Sequence, residues 1–160
     1  MNEALFVCLR VPEFAAQALV RLRPPLVRAA VAVLEGDPPL EKTCAATLQA
    51  RRLGVRHGMT RGELESFPQL TLMRRSRTEE QSAALALVEA ASRFTPRIEE
   101  LPRTSAYMLV LDMSGTTRLL GSPQAICQKV FRAARELGFF VRVASSQNVQ
   151  TAACLVRAPG

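Results

Sequence analysis

The sequence predicts an α/β fold in which a small sheet is backed by helices and carries an inserted basic lobe. Three observations lead there. Through the second half of the chain, apolar runs of strand length alternate with amphipathic segments of helix length. A strand-like run opens the chain, far in sequence from the strands it would join. Between them lies a stretch whose charge differs from its surroundings. The 160 residues suffice for one ordinary domain or two small lobes, and 48% apolar content supplies a core.

The elements follow in order. "ALFVCLR" (4–10) is a short apolar run with β character. Pro12 precedes "EFAAQALVRLR" (13–23), whose apolar residues recur at helical spacing until "RPP" ends them. "RAAVAVLEGDPP" (28–39) reads as a strand closed by a turn. "EKTCAATLQARRLG" (41–54) starts extended and turns helical from Ala45 to Leu53, with Gly54 as a left-handed cap. "TRGELESFP" (60–68) has Thr60 and Glu63 at capping-box spacing. "QLTLM" (69–73) reads as a strand; it also resembles a sliding-clamp pentapeptide, but such peptides work on exposed, flexible segments.

A long helix follows, capped at Thr78 or its neighbour, with Leu85, Val88, Ala91 and Phe94 expected along its buried face and Pro96 as its stop. "RIEEL" and "AYMLVLDM" read as successive strands. "SPQAICQKVFRAARELG" (122–138) is an amphipathic helix with Ser122 as cap, Pro123 in the first turn and Gly138 at the end. Its stripe is Ile126, Val130, Phe131, Ala134 and Leu137. "FFVRVASS" and "VQTAACLVR" supply a last strand and a last helix. The helices are expected on one face of the sheet, and residues 42–77 as a small, mainly helical lobe.

Charge sharpens the division. The net charge is +7, and residues 42–77 carry eight basic residues against Glu63 and Glu65. A positive segment this concentrated suits phosphate or nucleic acid. Cys8, Cys44, Cys127 and Cys154 are scattered, and His57 is the one histidine, which does not support a zinc site. His57 itself reads as a surface residue in a turn. Ser145 and Ser146 have no His or Asp pattern for a hydrolase triad. No apolar run reaches the roughly 20 residues of a membrane span. The first ten residues lack the basic start of a signal peptide, so a cytoplasmic location is expected.

At "ATLQARRLGVRHGM" (46–59) the chain resembles the fingers segment of Y-family DNA polymerases, enzymes that copy damaged templates. Ala50, Arg51, Gly54, Val55 and Met59 stand at the family spacing. "FVCLRVPEFAAQAL", "VAVLEG", "FPQLTLM" and "SRFTPRIEELPRTSAYMLVLD" match further family segments in order. The resemblance implies a polymerase palm over 1–11 and 78–160 and fingers over 12–77. Thumb and little-finger domains are expected to follow residue 160, making this chain a truncation.

Two-metal polymerases hold Mg²⁺ ions with carboxylates. The resemblance places the family's first acid at Cys8 and its Asp-Glu pair at Thr104 and Ser105. All three positions would then be vacated, leaving no metal site and no cofactor. Asp112 lies about 20 Å further along its strand, and Glu13 is the single candidate near the first. Three residues would face a triphosphate by resemblance: Arg51, Arg157, and Phe14 or Glu13 at the sugar-selecting position. The family's fingers Tyr is Leu48 here. Arg51, Arg52, Arg56, Arg61, Arg74, Arg75 and Arg77 are expected to form a patch that holds DNA weakly.

"LDMSGTTRLLGSPQAI" (111–126) resembles the Leu-Asp-x-x-Gly-x-x-x-Leu-x-Gly signature of ImuB-type proteins, non-catalytic Y-family relatives. That resemblance implies a scaffold in damage-induced mutagenesis. Its partners would be an error-prone replicative-type polymerase, an ImuA/RecA-like accessory protein and the sliding clamp. Two alternatives remain: a working nucleotidyltransferase with relocated acids, and a nucleotide sensor without turnover.

Overall fold

The computed structural model describes residues 3–159; Met1 and Asn2, at the head of the expected 1–11 segment, and Gly160 lie outside them. The chain divides into two compact units, Met1–Pro12 with Ala84–Gly160, and Glu13–Ala83.

The first unit is built on a four-stranded sheet in the order β5-β6-β1-β7. The strands are β1 (Phe6–Val11), β5 (Ile98–Glu100), β6 (Tyr107–Asp112) and β7 (Arg142–Ser146), and every pairing is antiparallel. β1 lies between β6 and β7, with Cys8 opposite Val110 on one side and Ala144 on the other. Helices cover both faces rather than the single face expected. Cys8, Met108 and Val110 pack under Ala152, Ala153 and Val156 of α7 (Val149–Arg157). On the opposite face Leu9 meets Leu87, Ala90 and Ala91 of α4 (Arg77–Ser92) and Val130 and Ala134 of α6 (Pro123–Glu136). The reason is legible in β6: Tyr107, Met108, Leu109, Val110 and Leu111 are all buried, the unbroken apolar run of a strand covered on two sides.

The second unit was expected to be mainly helical, but a three-stranded sheet is its base, ordered β3-β2-β4. β2 (Val31–Glu35) runs antiparallel to β3 (Lys42–Ala46) and parallel to β4 (Thr71–Arg74). α1 (Phe14–Val20) covers one face through Ala15, Ala16 and Leu19 against Val33 and Ala45. On the other, Ala32, Leu34 and Ala46 meet Ala50 of α2 (Leu48–Leu53), Val55 and Leu64 of α3 (Arg61–Leu64). "QLTLM" thus supplies β4. β3 displaces the expected helix start from Ala45 to Leu48. Thr47 caps that helix and also accepts from the Val31 N–H at 2.9 Å, which binds the start of β2 to the start of α2. Thr60 and Glu63 make the expected capping box.

Two helical details differ from expectation. Ser76, not Thr78, caps α4, its Oγ accepting from the Glu79 N–H at 3.2 Å. The buried face of α4 runs through Glu80, Ala83, Ala84, Leu87, Ala90 and Ala91, while Leu85 is 64% exposed. Four alanines outweigh the larger side chains because they permit close approach. A four-residue helix, α5 (Thr117–Leu120), lies between β6 and α6. On α6, Ile126, Val130 and Ala134 are buried as expected, but Phe131 is 42% exposed.

Glu80 is 2% exposed and is held by Arg75, with Nε–Oε1 at 2.6 Å and Nη2–Oε2 at 3.0 Å. Arg75 also reaches Glu35 at 2.7 Å, so one guanidinium ties α4 to the end of β2. Arg75→Ala is expected to destabilise the chain by about 3 kcal/mol in urea unfolding, because it strands a buried carboxylate; Arg74→Ala, at an exposed neighbour, is expected to change stability by less than about 0.5 kcal/mol.

Candidate functional site

The mouth of β6 is the first candidate. Thr104 and Ser105 are exposed in the turn before the strand, where the Ala106 N–H donates to Thr104 Oγ1 at 3.3 Å. Cys8 does not join them. It is fully buried and opposite Val110, three residues inside the first residue of β6, or about 10 Å of strand. The β1 side chain that shares its face and lies nearest the mouth is Arg10, opposite Met108. Sequence reasoning missed Arg10 because strand register comes from pairing, which a single strand's residues do not record.

Burial raises the Cys8 thiol to about 11, against the opposing charge of Arg157. Arg157, at the last turn of α7, is exposed and therefore lies near Cys8 in field though not in the core. Asp112 stands at the far end of β6. Burial alone would raise its carboxyl, but hydrogen bonds from Ser114 and the charge of Arg97 outweigh that and hold it low. It accepts from the Ser114 N–H at 3.0 Å, which shapes the local turn.

The second candidate lies within the other unit, around Glu13. This residue adopts φ 49°, the one non-glycine left-handed residue among those described. Its side chain is fully engaged. The Ala46 N–H donates to Oε2 at 2.9 Å, His57 Nε2 lies 2.8 Å from the same oxygen, and Arg51 stands 3.7 Å from Oε1. An open groove of about 620 Å³ runs beside it, lined by Leu48, Arg51, Arg52, Val55, Arg56 and His57. His57 is exposed, as expected, and also contacts the Glu13 carboxylate. Phe14 is 3% exposed within the α1 packing, so its ring offers no free face to a ligand.

The seven-arginine patch separates into three groups. Arg51, Arg52 and Arg56 line the groove. Arg61 is bound to Glu41, a carboxylate 5% exposed, at 2.8 Å. Arg74, Arg75 and Arg77 surround Glu35 and Asp37, with Arg74–Asp37 at 3.7 Å and Arg77–Glu35 at 3.9 Å. Among the described residues, Arg52 and Arg56 have no acid within salt-bridge distance. A residue count could not show this, because the neutralising acids come from β2, its following turn and α4.

Among the described residues no group of three His, Cys, Asp or Glu side chains is placed to hold a metal ion. Among the described residues no helix is long and apolar enough to cross a membrane.

This architecture is that of the N-terminal portion of a Y-family DNA polymerase. The insertion ternary complex of Dbh DNA polymerase superposes with a TM-score of 0.78 at 16% identity, over 96% of this chain and 45% of the other. DinB from Sulfolobus solfataricus gives 0.74 at 17% identity with the same shares. The post-insertion binary complex of Dbh DNA polymerase gives 0.79 at 16%, again over 96% and 45%. The chain thus spans about 45% of the length of these structures. A profile of the impB/mucB/samB family matches residues 9–157, and the chain belongs to that family, the N-terminal region of Y-family DNA polymerases. The matched span begins one residue past Cys8. No curated protein sequence matches.

The cysteines yield a test. Cys8 is buried and Cys44 is half-buried, and burial, the largest cause for each, raises both thiols to about 11. Cys154 is exposed. Under iodoacetamide at pH 8, mass spectrometry is expected to find Cys154 modified first and Cys8 only on unfolding. The unfolded thiols release protons near pH 9, before the folded ones, so stability is expected to fall as pH rises from about 9 toward 11.

Proposed function

We propose that this chain is the palm and fingers portion of a non-catalytic Y-family protein of the ImuB type, a scaffold in DNA damage bypass. In this reading Met1–Pro12 with Ala84–Gly160 is the palm and Glu13–Ala83 the fingers. The observation that carries it is the donor set at the mouth of β6: exposed Thr104 and Ser105, with Arg10 as the nearest same-face residue of β1. Mg²⁺ takes hard, mostly charged oxygen ligands. Two neutral hydroxyls and a guanidinium do not fit it, and no metal-assisted step is assigned to this chain.

Two further observations support the reading. Glu13, the acid that relocation would call upon, is already occupied by Ala46, His57 and Arg51. The Leu-Asp-x-x-Gly-x-x-x-Leu-x-Gly run forms a distinct local structure: Leu111 is fully buried, Gly115 and Gly121 take φ 81° and 98°, and Leu119 is 88% exposed. This is the stretch that resembles the ImuB-type signature. Weak DNA binding would come from the groove arginines Arg51, Arg52 and Arg56, which face solvent.

The test is an NMR titration of the chain with Mg²⁺ beside the variant Arg10→Asp, Thr104→Asp, Ser105→Glu. The parent is expected to show no saturable Mg²⁺ site, and the variant to gain one whose shifts centre on β1 and the β6 mouth. Saturable Mg²⁺ binding by the parent at that mouth overturns the non-catalytic reading.

A further inference from the structure

The four-stranded sheet finishes its two edges differently. β5 closes one edge with three residues, two of them glutamates, the short and charged kind of strand that resists further pairing. β7 forms the other edge with five residues, RVASS, in unbroken register with β1. It has no proline, no bulge and one charged residue, Arg142, whose Nη1 donates to the Ala158 carbonyl. All five residues are half-exposed. Alternate residues of an antiparallel edge strand turn their N–H and C=O groups away from the sheet. Among the described residues, no backbone group outside β1 bonds to those of β7. An open groove of about 380 Å³ lies beside this edge, lined by Cys127, Gln128 and Phe131 of α6 and by Val141, Arg142 and Val143. Helical spacing explains it. Ile126, Val130 and Ala134 point into the core, so Cys127 and Phe131 stand one step further round the helix. Val143, opposite Leu9, shares the face that α6 covers. Unpaired main chain next to an apolar slot is what strand addition by an extended peptide requires.

Charge selects the occupant. Arg132 follows Gln128 by one helical turn and is exposed, so a cation continues the row that lines the groove. Arg135, one turn past Phe131, lies 4.2 Å over the Phe140 ring. With Arg142 they make three arginines against one acid of the same stretch, Glu136. A second copy adding its own β7 here would bring these arginines together, and like charges in apposition repel. An acidic segment would be attracted. We propose that β7 and α6 form a docking site for an extended acidic segment of a partner protein, which joins the sheet as a fifth strand beside β7. Its apolar side chains, at alternate positions, would seat against Phe131 and Val143. The site does not depend on what the β6 mouth can hold, so its test and the Mg²⁺ titration fail separately.

The experiment uses the 160-residue chain and fluorescent peptides of about eight residues, long enough to cover β7. They carry valine or phenylalanine at alternate positions, with glutamate between them in one series and lysine in the other. Fluorescence anisotropy ranks the peptides, and amide hydrogen exchange by NMR reads the edge. Members of the glutamate series are expected to bind saturably, and alternate amides of β7 to exchange at least about tenfold more slowly when they do. Phe131→Ser is expected to weaken binding about tenfold through lost apolar contact, and Arg132→Glu to abolish or reverse the preference for glutamate. Both side chains are exposed, and circular dichroism checks that each variant folds; Arg132→Glu carries the result if Phe131→Ser does not. No binding by the glutamate series, equal binding by the lysine series, or binding without slowed exchange at β7 overturns the proposal. Equal binding by folded Phe131→Ser, or an unchanged preference in folded Arg132→Glu, does the same. Slowed exchange at β7 that grows with protein concentration in the absence of peptide also overturns it, and assigns the edge to a second copy.

Discussion

The register of β1 against its two neighbours is the constraint on which the first unit depends. A strand pairs in steps of one residue, and each step turns every side chain to the other face. With Cys8 level with Val110 and Ala144, the even-numbered side chains of β1 go under α7 and the odd-numbered ones under α4 and α6. That register makes the core and also decides what stands at the mouth of β6. It puts a buried thiol deep in the sheet and a guanidinium near the surface.

The second unit depends on charge as much as on apolar packing. Its sheet is narrow, and its faces are closed mostly by alanines and a few larger residues. Buried or half-buried carboxylates, Glu13, Glu41 and Glu80, each receive an arginine, and Glu13 also receives a backbone N–H and the imidazole. A buried ion pair adds little net stability over an apolar core, but losing one partner is costly. These pairs therefore act as fixed points that hold loops to the sheet.

Much of the fold was legible in the sequence. Strong local signals held: the Thr60–Glu63 box, the Ser122 cap with Pro123, and the left-handed Gly54. What failed was relational. Helices on both faces of the sheet, the alanine-lined face of α4 and the run of β3 on through Ala45 and Ala46 are set by partners distant in sequence. The candidate site shows the same division. Arg51 was singled out by resemblance and by charge, whereas its place beside a groove, the position of Arg10 and the engagement of Glu13 each needed the folded neighbours. Phe14 was singled out by resemblance at the sugar-selecting position, and tertiary packing leaves it 3% exposed.

The pairing of Arg61, Arg74, Arg75 and Arg77 with acids changes how this surface behaves as a polyelectrolyte. A cation already neutralised by a protein carboxylate displaces no counterion when a phosphate approaches. The residues 42–77 carry a formal surplus of six positive charges, but the entropy gained from released salt ions is set by the arginines that meet DNA unaccompanied. Such a surface would have a shallower dependence of polyanion affinity on salt than its composition indicates.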